Sequence, residues 1–345
     1  MCWVRVRSAG ICEGLPSTWL CDSTSVCSAC DGQAGIYLLA LCSRAVQGTA
    51  GESLLECNHT FASILAVLLS ITFFVEVKRA EACLVLERKA KMATRELDLS
   101  ELLGVVHEAA KAVMDVYTSQ SAVVETKADN SPVTQADIAA HHILTSRIKR
   151  LFPHIPIVSE EGDAQENGQA VKHQQYWVID PLDGTKEFLA RVGDFTVCVA
   201  LIEGDMPRFG IVCAPALSIT YFGGPGYGSF KKVGNGEPAP IHVANDRTGV
   251  VLGSRAAYNP ETSVYVERHY PEHEVKAVGS QLKLPQIAEG LADAYPRING
   301  PLHLWALAAG HAILVGAGGS VTRPDGSPID YHSPNLLVGD FIATS

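Results

Sequence analysis

The sequence predicts a mixed α/β (α+β) protein, on three observations. Apolar runs at 195–201, 208–213 and 219–222, separated by turn residues, read as an antiparallel meander. From 241 onward, strand-like and helix-like stretches alternate, the order expected of α/β layering. Ahead of both, Leu99, Leu102, Leu103, Val106, Ala110 and Val113 recur at helical spacing and mark an amphipathic helix over 97–117.

The front of the chain differs in composition from the rest. The 345 residues carry a net charge of -10, which argues against a nucleic-acid polymer as partner. Residues 1–91 hold eight basic and eight acidic side chains, so the whole excess lies in 92–345, with 19 basic against 29 acidic. Eight of the ten cysteines also fall before Met92. Cys27-x-x-Cys30 lacks a second cysteine or histidine pair at zinc-finger spacing, so it is not read as a metal site. Asn58-His59-Thr60 is a glycosylation sequon only if the segment is exported. The uncharged run at 61–75 would reach ~22 Å as a helix, short of the ~30 Å hydrocarbon core. If it did insert, Lys78, Arg79, Arg88, Lys89 and Lys91 would hold the C-terminal side in the cytoplasm. The composition change predicts translation from Met92, with 1–91 a poorly ordered or non-native extension and the protein cytoplasmic or on the cytoplasmic face of a membrane.

From Met92 the elements come in order. Thr134 is placed to cap a helix with Asp137 in its first turn, and Ala140, Leu144, Ile148 and Leu151 form its apolar face up to Pro153. A brief strand at 155–158 delivers Glu160 and Glu161 to its end. The run at 176–179 is a second strand, expected to stop at Asp180-Pro181 because proline removes a ladder donor. After the meander, glycine and proline at 223–226 and 233–238 place a domain boundary near 236, dividing a half at 92–235 from one at 236–345. The second half reads as strands at 241–244 and 249–254, a helix at Pro260–His269 and a strand at Glu274–Val278. A helix after Gly279-Ser280, a strand at 292–295, a helix at 305–315 and a strand at 320–323 complete it.

The chemistry centres on Asp180-Pro181-Leu182-Asp183-Gly184-Thr185-Lys186-Glu187-Phe188. Two carboxylates three apart stand at a strand-to-helix turn, Gly184 lets backbone approach a ligand, and the N–H groups of a helix starting near Thr185 suit phosphate. Hard oxygens beside an anion cradle suggest magnesium bridging protein and phosphate. His141 and His142 read as surface residues, and Cys198 and Cys213 as small core residues.

These stretches, with Asp129-x-Ser131-Pro132-Val133-Thr134-x-Ala136-Asp137, Val158-Ser159-Glu160-Glu161, Gly279-Ser280-Gln281-Leu282-Lys283, 288–297 and 308–313, resemble the inositol monophosphatase family of magnesium-dependent, lithium-sensitive phosphatases. The form of the central motif is similar to the family's 3'(2'),5'-bisphosphate nucleotidase branch. The resemblance implies a layered α-β-α-β-α sandwich. It implies that Glu160, Asp180 and the carbonyl of Leu182 hold a first magnesium, with Asp180 shared with a second ion on Asp183. Thr185 and Asp137 would orient and deprotonate the attacking water, with Glu161 in a supporting position. Gly184 and Thr185 would face the phosphate, and Lys186 and Lys283 the second phosphate or the nucleotide.

In one place the chain departs from that pattern. The family's C-terminal helix begins Trp-Asp, the aspartate holding the second ion, and here the position is Ala306. Three functions are compatible with it. The first is hydrolysis of adenosine 3',5'-bisphosphate in sulfur assimilation; the second is an impaired homologue that binds nucleotide or phosphate; the third is an inositol monophosphatase-like activity.

Overall fold

Helix α1 (Leu99–Ser119) buries Leu102, Val105, Val106, Ala109, Ala110 and Val113, the face anticipated from their spacing. Residues 97 and 98 lie outside the described residues, and the helix runs two residues past the expected end at 117. The computed structural model describes residues 99–119, 124–126, 132–300 and 302–345. The expectations for 1–91, including the cysteine pair, the sequon and the apolar run, lie outside the described residues. Among those described, no helix is long and apolar enough to cross a membrane.

A short hairpin, β1 (Val124–Thr126) with β2 (Pro132–Thr134), leads into helix α2 (Gln135–Leu151). Thr134 caps α2 as anticipated, accepting from the Ala136 N–H, and Asp137 closes a capping box by accepting from the Thr134 N–H at 2.8 Å. The next elements are β3 (Ile157–Ser159), helix α3 (Ala164–Ala170), β4 (Gln175–Asp183) and the one-turn helix α4 (Thr185–Leu189). Strands β5 (Thr196–Glu203), β6 (Met206–Ala214), β7 (Ile219–Gly224), β8 (Gly228–Val233) and β9 (Ala239–Ile241) come after it. Together β3 to β9 form a seven-stranded sheet in sequence order, antiparallel except for the β3–β4 pair.

Two expectations are corrected here. Strand β4 does not stop at Asp180-Pro181 but continues to Asp183. Proline is tolerated because β3 has already ended opposite Ile179, and the pairing with β5 skips from Asp180 to Asp183 in a bulge. The first sheet also extends past 236: β9 pairs with β8, and β8 itself fills the stretch between the two glycine-rich breaks.

The remaining elements are β10 (Val250–Ser254), α5 (Pro260–His269), β11 (Glu274–Val278), α6 (Lys283–Ala288), β12 (Ala294–Arg297), α7 (Ala308–Gly316), β13 (Ser320–Thr322) and β14 (Phe341–Thr344). The second sheet runs β11-β10-β12-β14-β13. Strand β14, which the local sequence pattern does not signal, is its antiparallel link between β12 and β13.

Side-chain alternation assembles the layers. Trp177, Ile179, Val197, Val199, Leu201, Phe209 and Ile211 pack with α1 and α2 on one face of the large sheet. Their neighbours Tyr176, Val178, Cys198, Ala200, Ile202 and Val212 face the other way, into a core shared with α6, α7 and the small sheet. Val251 and Ala294 on the far side of the small sheet meet Val266 of α5. The sequence of layers is thus α-β-α-β-α, as the resemblance implies.

Candidate active site

Three backbone features bring the acidic residues together. Glu160 leaves the end of β3 with its N–H on the Ile179 carbonyl at 3.1 Å, which seats it beside β4. The β4 bulge then presents Asp180 and Asp183 in close succession. Gly184 turns the chain into α4 with φ 91°, where an added Cβ would lie 3.1 Å from the Asp194 carbonyl oxygen and 3.2 Å from Ser280 Cβ. Both the left-handed backbone and the close approach therefore call for glycine.

The cleft that results has a volume of about 240 Å³ and is lined by Glu160, Asp183, Thr185, Lys283, Tyr295 and Ala306 among others. Asp180, three residues before Asp183 on β4, is 1% exposed. Burial pushes its carboxyl well above the usual range, the charges of Glu160 and Asp183 push the same way, and its side chain hydrogen-bonds that of Glu160. Asp183 is pushed up to about 7, first by burial, with the Lys283 ammonium pulling down and Glu160 pushing up. Asp180 Oδ1 and Asp183 Oδ2 are buried without a hydrogen-bond partner. Two such oxygens with raised pKa values make a costly arrangement that a counter-charge relieves.

Among the described residues, no three acidic, histidine or cysteine side chains stand in an arrangement that would hold an ion by themselves. The fit to a divalent cation rests instead on those two oxygens, on Glu160 and on the Leu182 carbonyl, which accepts from Thr185 Oγ1 at 3.3 Å. All are oxygens, the donor type magnesium takes.

The other expected site residues surround this group. Asp137 Oδ2 accepts from both the N–H and the Oγ1 of Thr134, and its charge reaches Asp180. Lys186 is exposed at the rim. Lys283 is buried, 5% exposed, with Nζ donating to the carbonyls of Val278 and Ser280 and lying 5.1 Å above the Tyr295 ring. The residue in the family's aspartate position, Ala306, does face the cleft. Asp194 is an addition to the expected set: its Oδ2 accepts from Arg255 at 2.6 Å and from the Gly279 N–H at 3.1 Å, joining the turn after α4 to the turn before α6. Nothing local in the sequence signals that contact across 85 positions.

Of the residues outside the cleft, His142 is exposed, and His141 is half-buried with Nδ1 2.9 Å from Ser159 Oγ. They line a larger hollow of about 570 Å³ that contains no unpartnered buried polar atom, so the strained chemistry lies in the smaller cleft. Cys198 and Cys213 are buried free thiols, both held protonated by burial.

The model of the inositol monophosphatase family matches residues 98–344. The chain belongs to the inositol monophosphatase family. Within that family, 3'(2'),5'-bisphosphate nucleotidase CysQ of Escherichia coli is 40% identical over 236 residues, covering 68% of this chain and 93% of that protein. The protein of the same name from Buchnera aphidicola is 37% identical over 235 residues, covering 68% and 87%. The crystal structure of CysQ from Bacteroides thetaiotaomicron, a bacterial member of the family, superposes with a TM-score of 0.64 at 30% identity, covering 73% of this chain and 98% of that chain. The chain therefore stands in the bisphosphate nucleotidase branch of a family of metal-dependent phosphatases, the branch its central motif resembles.

Proposed function

We propose that this chain hydrolyses adenosine 3',5'-bisphosphate to AMP and phosphate with the help of magnesium. The observation that carries the reading is the pair of buried, partnerless oxygens, Asp180 Oδ1 and Asp183 Oδ2, beside a cleft that also contains Glu160 and Lys283. Glu160, Asp180, Asp183 and the Leu182 carbonyl would hold the ions. When bound, magnesium lowers the pKa of water and stabilises charge on the attacking and leaving oxygens of an in-line displacement.

The remaining work falls to the chain. Thr185 and Asp137 orient the attacking water and accept its proton, and the N–H groups of Gly184 and Thr185 take phosphoryl oxygens as charge builds on them. Lys283, fixed by two carbonyls and a tyrosine ring, offers a positive charge within the cleft, and Lys186 offers another at its rim. Two ammonium groups suit a substrate with a second phosphate better than an inositol monophosphate, and the names of the relatives point the same way.

One observation favours a second reading. The methyl group of Ala306 in the cleft cannot coordinate a cation, which fits a chain that binds nucleotide with impaired turnover.

Phosphate release from adenosine 3',5'-bisphosphate, with and without magnesium, tests the proposal. Asp183→Ala should cut the rate by more than the ~10–100-fold typical of outer-shell partners of a metal. Equal rates for the variant and the parent would refute it. Faster release from inositol monophosphate than from the nucleotide would move the substrate.

A further inference from the structure

Glu187, the third residue of α4, is a carboxylate with no part in the proposed hydrolysis. It is 5% exposed, and among the described residues no hydrogen bond or ion pair engages it. The cleft that it lines also holds Asp183, Lys283 and Ala306. Its stem is wedged against the turn before α6, where a Cβ on Gly279 would come within 2.8 Å of Glu187 Cγ. The side chain is therefore held against that turn, on the cleft lining. The buried ammonium of the cleft, on Lys283, already donates to the carbonyls of Val278 and Ser280.

A carboxylate on the cleft wall that no protein donor engages, beside other acids, suits a counter-charge. A hydroxyl or amine of a substrate would satisfy one lone pair but leave the local charge excess. A divalent cation addresses both, and hard carboxylate oxygens are what magnesium accepts.

We propose that Glu187 is a cation ligand of this cleft, acting with Asp183 and supplying from α4 a carboxylate to a cleft that has only a methyl group at Ala306. This inference rests on the cation-dependent reading of the site and deepens it. With Glu187 as a ligand, the absence of an aspartate at Ala306 need not cost the second ion.

The test uses manganese as a paramagnetic stand-in for magnesium, titrated into the full chain and followed by electron paramagnetic resonance and calorimetry. The parent should bind two ions. Glu187→Gln should lose the weaker ion or bind it at least tenfold more weakly, with the tighter one unchanged. Ala306→Asp alone should bind like the parent, and the double variant Glu187→Gln with Ala306→Asp should recover the weaker ion. Unchanged manganese binding in Glu187→Gln would overturn the proposal, as would a parent that binds a single ion. Without cation, Glu187→Gln should melt no lower than the parent, since it removes an uncompensated charge. A lower melting temperature would assign Glu187 a packing role and also overturn the proposal.

Phosphate release on the same samples separates the two readings. Two-ion binding that depends on Glu187 in a parent inert toward adenosine 3',5'-bisphosphate strikes the substrate and keeps the ligand. Hydrolysis by a parent whose manganese binding ignores Glu187 does the reverse.

Discussion

At Asp183 a proton and a cation compete for the same oxygen. Burial pushes this carboxyl to about 7, against the pull of Lys283 and with the push of Glu160. Below that value the group is mostly protonated and a cation must displace the proton; above it the carboxylate is free. Cation affinity should therefore rise as pH increases from about 6 to 8, steeply at first and then levelling, with proton release that shrinks across the same range. Calorimetric titration of manganese in two buffers of different ionisation enthalpy measures both quantities. Lys283→Met removes the downward pull, so its rise should shift to higher pH. An affinity that does not change over this range would mean that Asp183 is already ionised, and that Lys283 and the Gln281 N–H outweigh burial.

The element that fixes the cleft from behind is α7, and its position depends on small residues. A Cβ on Gly210 of β6 would lie 2.3 Å from the Ala309 carbonyl oxygen, and one on Gly310 would lie 2.9 Å from Leu284 Cβ of α6. Helix and strand backbones are thus nearly in contact at Gly210, and a rigid carbonyl cannot step aside as a side chain could. Gly210→Ala should destabilise the fold by about 3 kcal/mol, the upper part of the usual overpacking range, read as a lowered urea midpoint. It should also weaken catalysis, because Ala306 lies at the start of the same segment. The sequence made much of this scale legible: the alternation in β5 and β6, the α1 face and the Pro260–His269 helix all obey local periodicity. It also made legible Asp180, Asp183 and Glu160, which stand at strand ends beside glycine and proline. What it hid depends on partners far along the chain. Strand β14 is ordered by β12 and β13, the continuation of β4 through Pro181 by where β3 happens to end, and the burial of Glu187 by the Gly279 turn. No window of local sequence contains those neighbours.

Across the whole molecule, the C-terminal stretch between β13 and β14 is tied to the layers by two histidines with opposite acid–base behaviour. His311 of α7 is buried with Nδ1 2.8 Å from the Tyr331 hydroxyl, and burial lowers its pKa from 6.5 to about 4. His332 has Nδ1 2.6 Å from the Val171 carbonyl oxygen and Nε2 2.8 Å from that of Gly204. A neutral imidazole has one N–H, so two carbonyl acceptors require the charged ring. Burial opposes that charge, but the two carbonyls, Asp205 and Asp330 outweigh it and raise the pKa above 6.5. For His311 the unfolded chain binds the extra proton between pH 6.5 and about 4, so its contribution is intact above 6.5 and is lost on acidification, by about 3 kcal/mol in full. For His332 the folded chain holds the proton more tightly, so its contribution is intact below 6.5 and is lost as pH rises through the raised value. Urea unfolding across pH should then give a stability curve with two arms of separate origin. His311→Gln should flatten the acid arm alone, and His332→Gln, which donates without titrating, the alkaline arm alone. If either variant flattened both arms, the two histidines would be one coupled network through Tyr331 rather than two independent ties on adjacent residues.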